Sequence, residues 1–207
     1  MSIKYLLAKG LKRVLNPPAM INCRIDKNAR VCSKSELSNV EMDRYSYIGN
    51  SCFMVNVKIG AFCSIADRCS IGGAMHPIER VSTSPVFHRG KNILNKNFAV
   101  HALPSTPKTI IENDVWLGMG CYIKAGVTIH NGAIVGMGSV VTHDIPAYEV
   151  WAGNPAKKIK DRFESVIKDF LLETKWWNWD ENRIAYMSSK YEDPRDLMQQ
   201  LEKEKNE

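Results

Sequence analysis

The sequence predicts a mainly β chain: a parallel β-helix carrying one long excursion loop, with a short helix ahead of it and a helical segment behind. Three observations carry that prediction. From Val57 to Val141 an aliphatic residue returns every sixth position, at Ile59, Ile65, Ile71, Ile111, Leu117, Ile123, Ile129, Val135 and Val141. The recurrence is broken between Ala74 and Lys108 by a stretch holding prolines and three histidines. Beyond the recurrence, at both chain ends, apolar residues are spaced as on a helix. A six-residue period fits neither a helix of about 3.6 residues per turn nor plain two-residue alternation. It fits short strands joined by turns, with three units closing one triangular coil.

Taken in order, Ser2 to Leu15 sets Ile3, Leu6, Leu7, Leu11, Val14 and Leu15 at near-helical spacing with Lys4, Lys9, Lys12 and Arg13 between them, and Pro17-Pro18 ends the helix. This segment, 1–20, is too short and too charged to span a bilayer. It reads as a helix packed on the body of the protein or as a basic amphipathic element touching the inner membrane. The β-helix is assigned to 21–157. Ile25, Val31 and Leu37 keep the six-residue spacing with Ala29 and Ser35 inward, and the register is lost through Tyr45-Ser-Tyr-Ile-Gly-Asn50. Tyr45 and Tyr47 are candidates for an acceptor pocket.

In the regular stretch the leading aliphatic and the residue four positions on (Cys63, Cys69, Val115, Cys121, Val127, Ala133, Ser139) point inward, because alternate strand residues share a side. Gly60, Gly72, Gly118 and Gly136 follow the aliphatic, where a corner needs a backbone conformation that side chains resist. The loop, 74–108, has no role in a repeat and is therefore expected to carry function. A turn-rich closing segment runs through Gly153-Asn-Pro-Ala-Lys157, and 158–207 is a helical extension with Phe163, Val166, Ile167, Phe170 and Leu171 on one face. Trp176, Trp177 and Trp179 are expected to cap the prism or pack on a neighbouring subunit.

A formal charge of +6, 44 % hydrophobic and 24 % charged residues describe a soluble, globular chain. Its Lys and Arg residues gather towards the ends and form no aromatic-laced patch, which argues against nucleic acid as a partner. Six cysteines with no CxxC pair and no zinc spacing, three of them on inward slots, read as small apolar fillers in a reducing cytoplasm, and no metal is called for. No serine sits in a nucleophile elbow.

The repeat, together with Phe62-Cys-Ser-Ile-Ala, the His76–Phe87 loop, Asn113-Asp-Val-Trp-Leu-Gly118, Gly153-Asn-Pro-Ala-Lys157 and Trp176-Trp-Asn-Trp179, resembles the hexapeptide acyltransferases over roughly residues 45 to 180. Within them it is similar to the branch of xenobiotic (chloramphenicol type B, streptogramin) acetyltransferases and polysaccharide O-acetyltransferases. The resemblance implies a left-handed parallel β-helix, acetyl-CoA as co-substrate, and a homotrimer with active sites between subunits. Acyl transfer to a hydroxyl needs a base, a donor to the developing oxyanion and a groove that aligns two substrates. By match, His76 is the base and the backbone N–H of Met119, after Trp116-Leu-Gly118, is the donor. Trp116 walls the pantetheine tunnel, Met137, Thr142 and His143 line the cofactor groove, and Lys157 meets the phosphates. Met119 and Met137 are bulkier than the serine and alanine frequent in relatives, and His143 replaces a common lysine. His88 and His101 lie deeper in the loop, where His88 is a candidate substrate contact; His130 sits at an exposed corner. The acceptor implied is a sugar or glycan hydroxyl, or alternatively a xenobiotic, or the amine of an amino sugar.

Overall fold

The computed structural model describes residues 3–103 and 105–206. Met1, Ser2, Pro104 and Glu207 lie outside the described residues, as do the side chains of Tyr5, Ala8, Lys9, Lys12, Arg13, Lys205 and Asn206. The body is a three-faced parallel β-helix. On the first face stack Arg24–Ile25, the later halves of Glu36–Met42 and Phe53–Ile59, Thr109–Ile111 and Thr128–Ile129. The second holds Arg30–Val31, Tyr47–Ile48, Ser64–Ile65, Trp116–Leu117, Ile134–Val135 and Glu149–Gly153. The third holds Ala19–Ile21, the earlier halves of the two long strands, Ser70–Gly72, Tyr122–Ile123 and Val140–Val141.

Ile59, Ile65, Ile71, Ile111, Leu117, Ile123, Ile129, Val135 and Val141 are all buried, and so are Cys63, Cys69, Val115, Cys121, Val127, Ala133 and Ser139, each four positions after one of them. Burying one such aliphatic side chain contributes roughly 1.5–3 kcal/mol, so the column of them is the main cohesive term. All six cysteines are free thiols. Burial pushes the Cys63 thiol up to about 12, which leaves it an inert filler.

The lost register between Leu37 and Ile59 has a geometric cause. Glu36–Met42 and Phe53–Ile59 run unbroken around the corner between the third and first faces, and that corner uses one residue fewer than the others. Inward residues therefore fall at Leu37, Met42, Ile48, Met54, Ile59, Ile65 and Ile71, all buried. Ala19, Glu36, Phe53 and Ser70 are successive register partners, seventeen residues apart, whereas Tyr122 and Val140 are eighteen apart. The left-handed residue that turns this corner is Asn22, Asn39 and Asn56 in turn, with φ of 52°, 55° and 57°.

The corner glycines need correcting. Among Gly60, Gly72, Gly118 and Gly136 only Gly72 has positive φ. The left-handed position lies two residues before each strand, at Tyr45, Phe62, Asp114 and Gly132 on one corner and Lys34, Ser51, Arg68, Gly120 and Gly138 on another. Gly118 is required for a different reason: a Cβ there would stand 2.5 Å from the Met137 backbone nitrogen.

Two boundaries also differ from expectation. The first strand begins at Ala19, inside the segment assigned to the N-terminal helix. Ala156–Asp161 is a strand, antiparallel to Glu149–Gly153, so the helical extension starts at Ser165 rather than Lys158; main-chain pairing with the last prism strand, and not the apolar spacing, decides the conformation there. Helix α1 (Ile3–Leu15) is not packed on the body, since its described apolar side chains are exposed. Helices α2 (Ser165–Thr174), α3 (Glu181–Met187) and α4 (Pro194–Asn206) follow the hairpin. Ile167, Leu171, Trp176, Trp177, Met187 and Leu197 pack with Ala61 and Tyr148 in a second core against one corner of the prism, and Val166 faces outward instead. Arg162 fastens this core by bonding Asp114 and the Gly132 carbonyl. Burial pushes the Asp114 carboxyl up despite that partner. Among the described residues no helix is long and apolar enough to cross a membrane.

Candidate active site

The loop leaves the prism after Ser70–Gly72 and returns at Thr109–Ile111, so it springs from the corner between the third and first faces. His76 stands exposed near its start, and His76 Nδ1 lies 2.7 Å from the Thr83 carbonyl. A carbonyl only accepts, so Nδ1 carries the hydrogen in the neutral ring and Nε2 presents a lone pair outward. The loop is held in shape from within. His88 is buried, its Nδ1 3.2 Å from the Arg80 guanidinium, while Arg80 also donates to the Ala102 carbonyl and Asn97 to the His88 carbonyl. His88 pairs with His101 in an isolated bridge, and its Nε2 is buried without a partner. His88 thus sits inside the loop fold rather than on its surface.

Four of the predicted cofactor residues come together at another corner, between the second and third faces. Trp116 is exposed on the second face, in register with Ser64 and Ile134. Gly118 and Met119 turn the corner beside Met137, with the Gly138 N–H donating to the Met119 carbonyl. The equivalent N–H elsewhere is capped by a side chain: Asn50 by Asp67, Ala61 by Asn113, Asn113 by Asn131 and Asn131 by Glu112. At Met119 and Met137 that ladder of caps has ended, and their N–H groups meet no acceptor among the described residues. The Met119 side chain is itself exposed, with Arg68 against its sulfur at 2.6 Å. An exposed, unpaired backbone donor beside a cation is a fitting seat for a carbonyl oxygen acquiring negative charge.

The remaining predicted residues lie apart from this column. Thr142 and His143, bonded to each other at 2.9 Å, follow Val140–Val141 and begin the corner from which the loop also emerges. Lys157 is exposed on the terminal hairpin opposite Ala152. Tyr45 is tied to the C-terminal segment, its hydroxyl bonded to Glu181 and its ring 5.2 Å from Phe62. Tyr47 is exposed on the second face, in register with Ser64 and, one strand beyond, Trp116. Sequence reasoning missed a groove of about 650 Å³ on the outside of the first face, lined by Arg24, Glu41, Lys58, Glu112 and Asn131 among others. Its signal was available as charged residues recurring seventeen apart at outward positions.

The protein is similar to several of known type. A family model described as bacterial transferase hexapeptide (six repeats) matches residues 108–143. A probable macrolide acetyltransferase of Lysinibacillus sphaericus is 36 % identical over 148 residues, covering 70 % of this chain and 79 % of its own length. A chloramphenicol acetyltransferase of Klebsiella aerogenes is 38 % identical over 129 residues, 61 % of each chain, so this chain spans about three fifths of that relative. Among solved structures, the N-acyltransferase AntD from Bacillus cereus, in complex with dTDP and 3-hydroxybutyryl-CoA, superimposes with a TM-score of 0.52 at 21 % identity. That likeness covers 83 % of this chain and 97 % of the other, and is one of fold.

Proposed function

This chain belongs to the bacterial hexapeptide-repeat acetyltransferases, and from that premise we propose that it moves an acetyl group from acetyl-CoA directly to a hydroxyl of a sugar or glycan, with His76 as general base. The observation that carries the reading is the exposed His76 ring, locked through Nδ1 to the Thr83 carbonyl with Nε2 free to take a proton. In this reading Nε2 removes the acceptor's hydroxyl proton as the oxygen bonds to the acetyl carbon. The carbon–sulfur bond breaks, and the proton passes from His76 to the departing sulfur. The Met119 N–H donates to the carbonyl oxygen, Trp116 and Met137 flank the pantetheine arm, and Lys157 lies where phosphates would be met. Acetyl-CoA supplies the activated acyl group; this chain supplies the base, the donor and alignment.

We assign the working form to a homotrimer. His76 springs from one edge of the third face, and the Met119 column forms the other edge. Laying two copies side by side sets the loop of one against the column of the next, and cyclic closure repeats the site three times. The free thiols support a cytoplasmic setting.

A second reading, a xenobiotic hydroxyl as acceptor, is favoured by the names of the relatives that match over 61 % and 70 % of this chain. Free-thiol release from acetyl-CoA with a panel of glycans, amino sugars, chloramphenicol and macrolides separates the two. With the accepted substrate, His76→Ala should lower turnover by about 10²- to 10⁴-fold, and wild-type turnover in that variant would remove His76 from the mechanism.

A further inference from the structure

We propose that α1 and the first coil dock this protein on an anionic lipid bilayer. Along α1, Ile3, Leu6, Leu7, Leu11, Val14 and Leu15 are 50–76 % exposed. No Asp or Glu occurs in the helix, whereas Lys4, Lys9, Lys12 and Arg13 do. Apolar exposure continues into the coil that follows, where Ala19–Ile21 is exposed throughout and Met20 and Ile21 stand in solvent. This is the open end of the prism: among the described residues Ala19–Ile21 and Arg24–Ile25 pair only with Glu36–Met42, and Arg30–Val31 only with Tyr47–Ile48.

Charge decides what covers that end. Residues 1–35 hold eight Lys or Arg against a single acid, Asp26, while the rest of the chain holds 20 against 21. The whole positive excess of the protein is therefore gathered in α1 and the first coil. Folding α1 back would lay its cations on a rim already carrying Arg24, Lys27, Arg30 and Lys34, and bundling α1 from several copies would crowd like charges together. A bilayer of anionic headgroups answers both features at once, taking the apolar stripe into the acyl boundary and the cations at the phosphates. The catalytic loop and the Met119 corner lie on later coils, so docking at this end leaves them open to solvent.

Sedimentation of the full chain with vesicles tests this. Vesicles of phosphatidylcholine mixed with phosphatidylglycerol should retain the protein about tenfold or more better than phosphatidylcholine alone, with the difference shrinking as salt rises. Leu7→Asp with Leu11→Asp should lower retention by about tenfold or more while leaving the melting temperature and thiol release on a soluble acceptor unchanged. Equal retention on both vesicle types, or wild-type retention by the double variant, would overturn the proposal. Absence of vesicle binding with a changed oligomeric mass in that variant would reassign α1 to self-association. Binding to single-stranded RNA that ignores the two aspartates, without vesicle retention, would reassign the charge to nucleic acid.

Discussion

Met119 shows how little side-chain chemistry the proposed site demands, because its contribution is a backbone N–H. Gly120 follows it with φ of 70°, so Met119 occupies the second position of a turn that proline tolerates. Met119→Pro should therefore fold normally and lose only the donor, lowering kcat by about 10²- to 10³-fold with a smaller change in KM, as read from thiol-release kinetics and a thermal melt. At this scale the sequence was legible wherever a residue's role follows from its period. The inward cysteines are the clearest case, since a slim side chain in a narrow prism has one place to go. It was not legible where a role depends on a contact across the loop. Nothing in the spacing of His76 and Thr83 announces that a carbonyl fixes the ring, and nothing around His88 announces that Arg80 and Asn97 draw it inside.

Among the elements, the excursion loop is anchored where it rejoins the prism. Lys108 donates to Glu41 at 2.6 Å, and Arg24 reaches the same carboxylate at 2.5 Å. The Lys108 hydrogen bond foremost, then the charges of Lys108 and Arg24, hold the Glu41 carboxyl below its ordinary value of 4.5. A depressed acid contributes stability above its unfolded value and loses it as pH falls through the folded one. The wild type should therefore melt slightly above Glu41→Gln at neutral pH, by a small margin because the pair is exposed, and that margin should close as pH falls below about 4.5. The long strands explain why the early coils resisted reading. A fixed period of six cannot follow a chain that takes six, six and then five residues around each winding. The corner asparagines, Asn22, Asn39 and Asn56, were the available sign, since asparagine tolerates the left-handed conformation better than most residues.

For the whole molecule, the proposed division of the site between two edges of one face makes a sharp demand on assembly. Sedimentation should give a mass of about three times 23.4 kDa. Mixing His76→Ala with Met119→Pro chains, each inactive alone, should restore part of the wild-type turnover, because mixed trimers contain interfaces with both groups intact. Turnover that stays at the level of the separate variants would place both groups in one chain's own site. The prism and its loop were readable at this scale from a single sequence, because a repeat states its architecture many times over. The N-terminal helix was readable as a helix but not as a detached one, since amphipathic spacing is the same whether the partner is the body or something else.

The break in the prism closes on itself. Gly72 pairs with Val55 and Thr109 with Val57, so the ends of the excursion are moored two residues apart on one strand. Chain-closure entropy rises only with the logarithm of loop length, about 0.6 kcal/mol for each doubling, when the ends are already held by a rigid frame. These residues can therefore be lengthened, trimmed or exchanged at a thermodynamic cost smaller than that of emptying a single isoleucine slot in the column beneath.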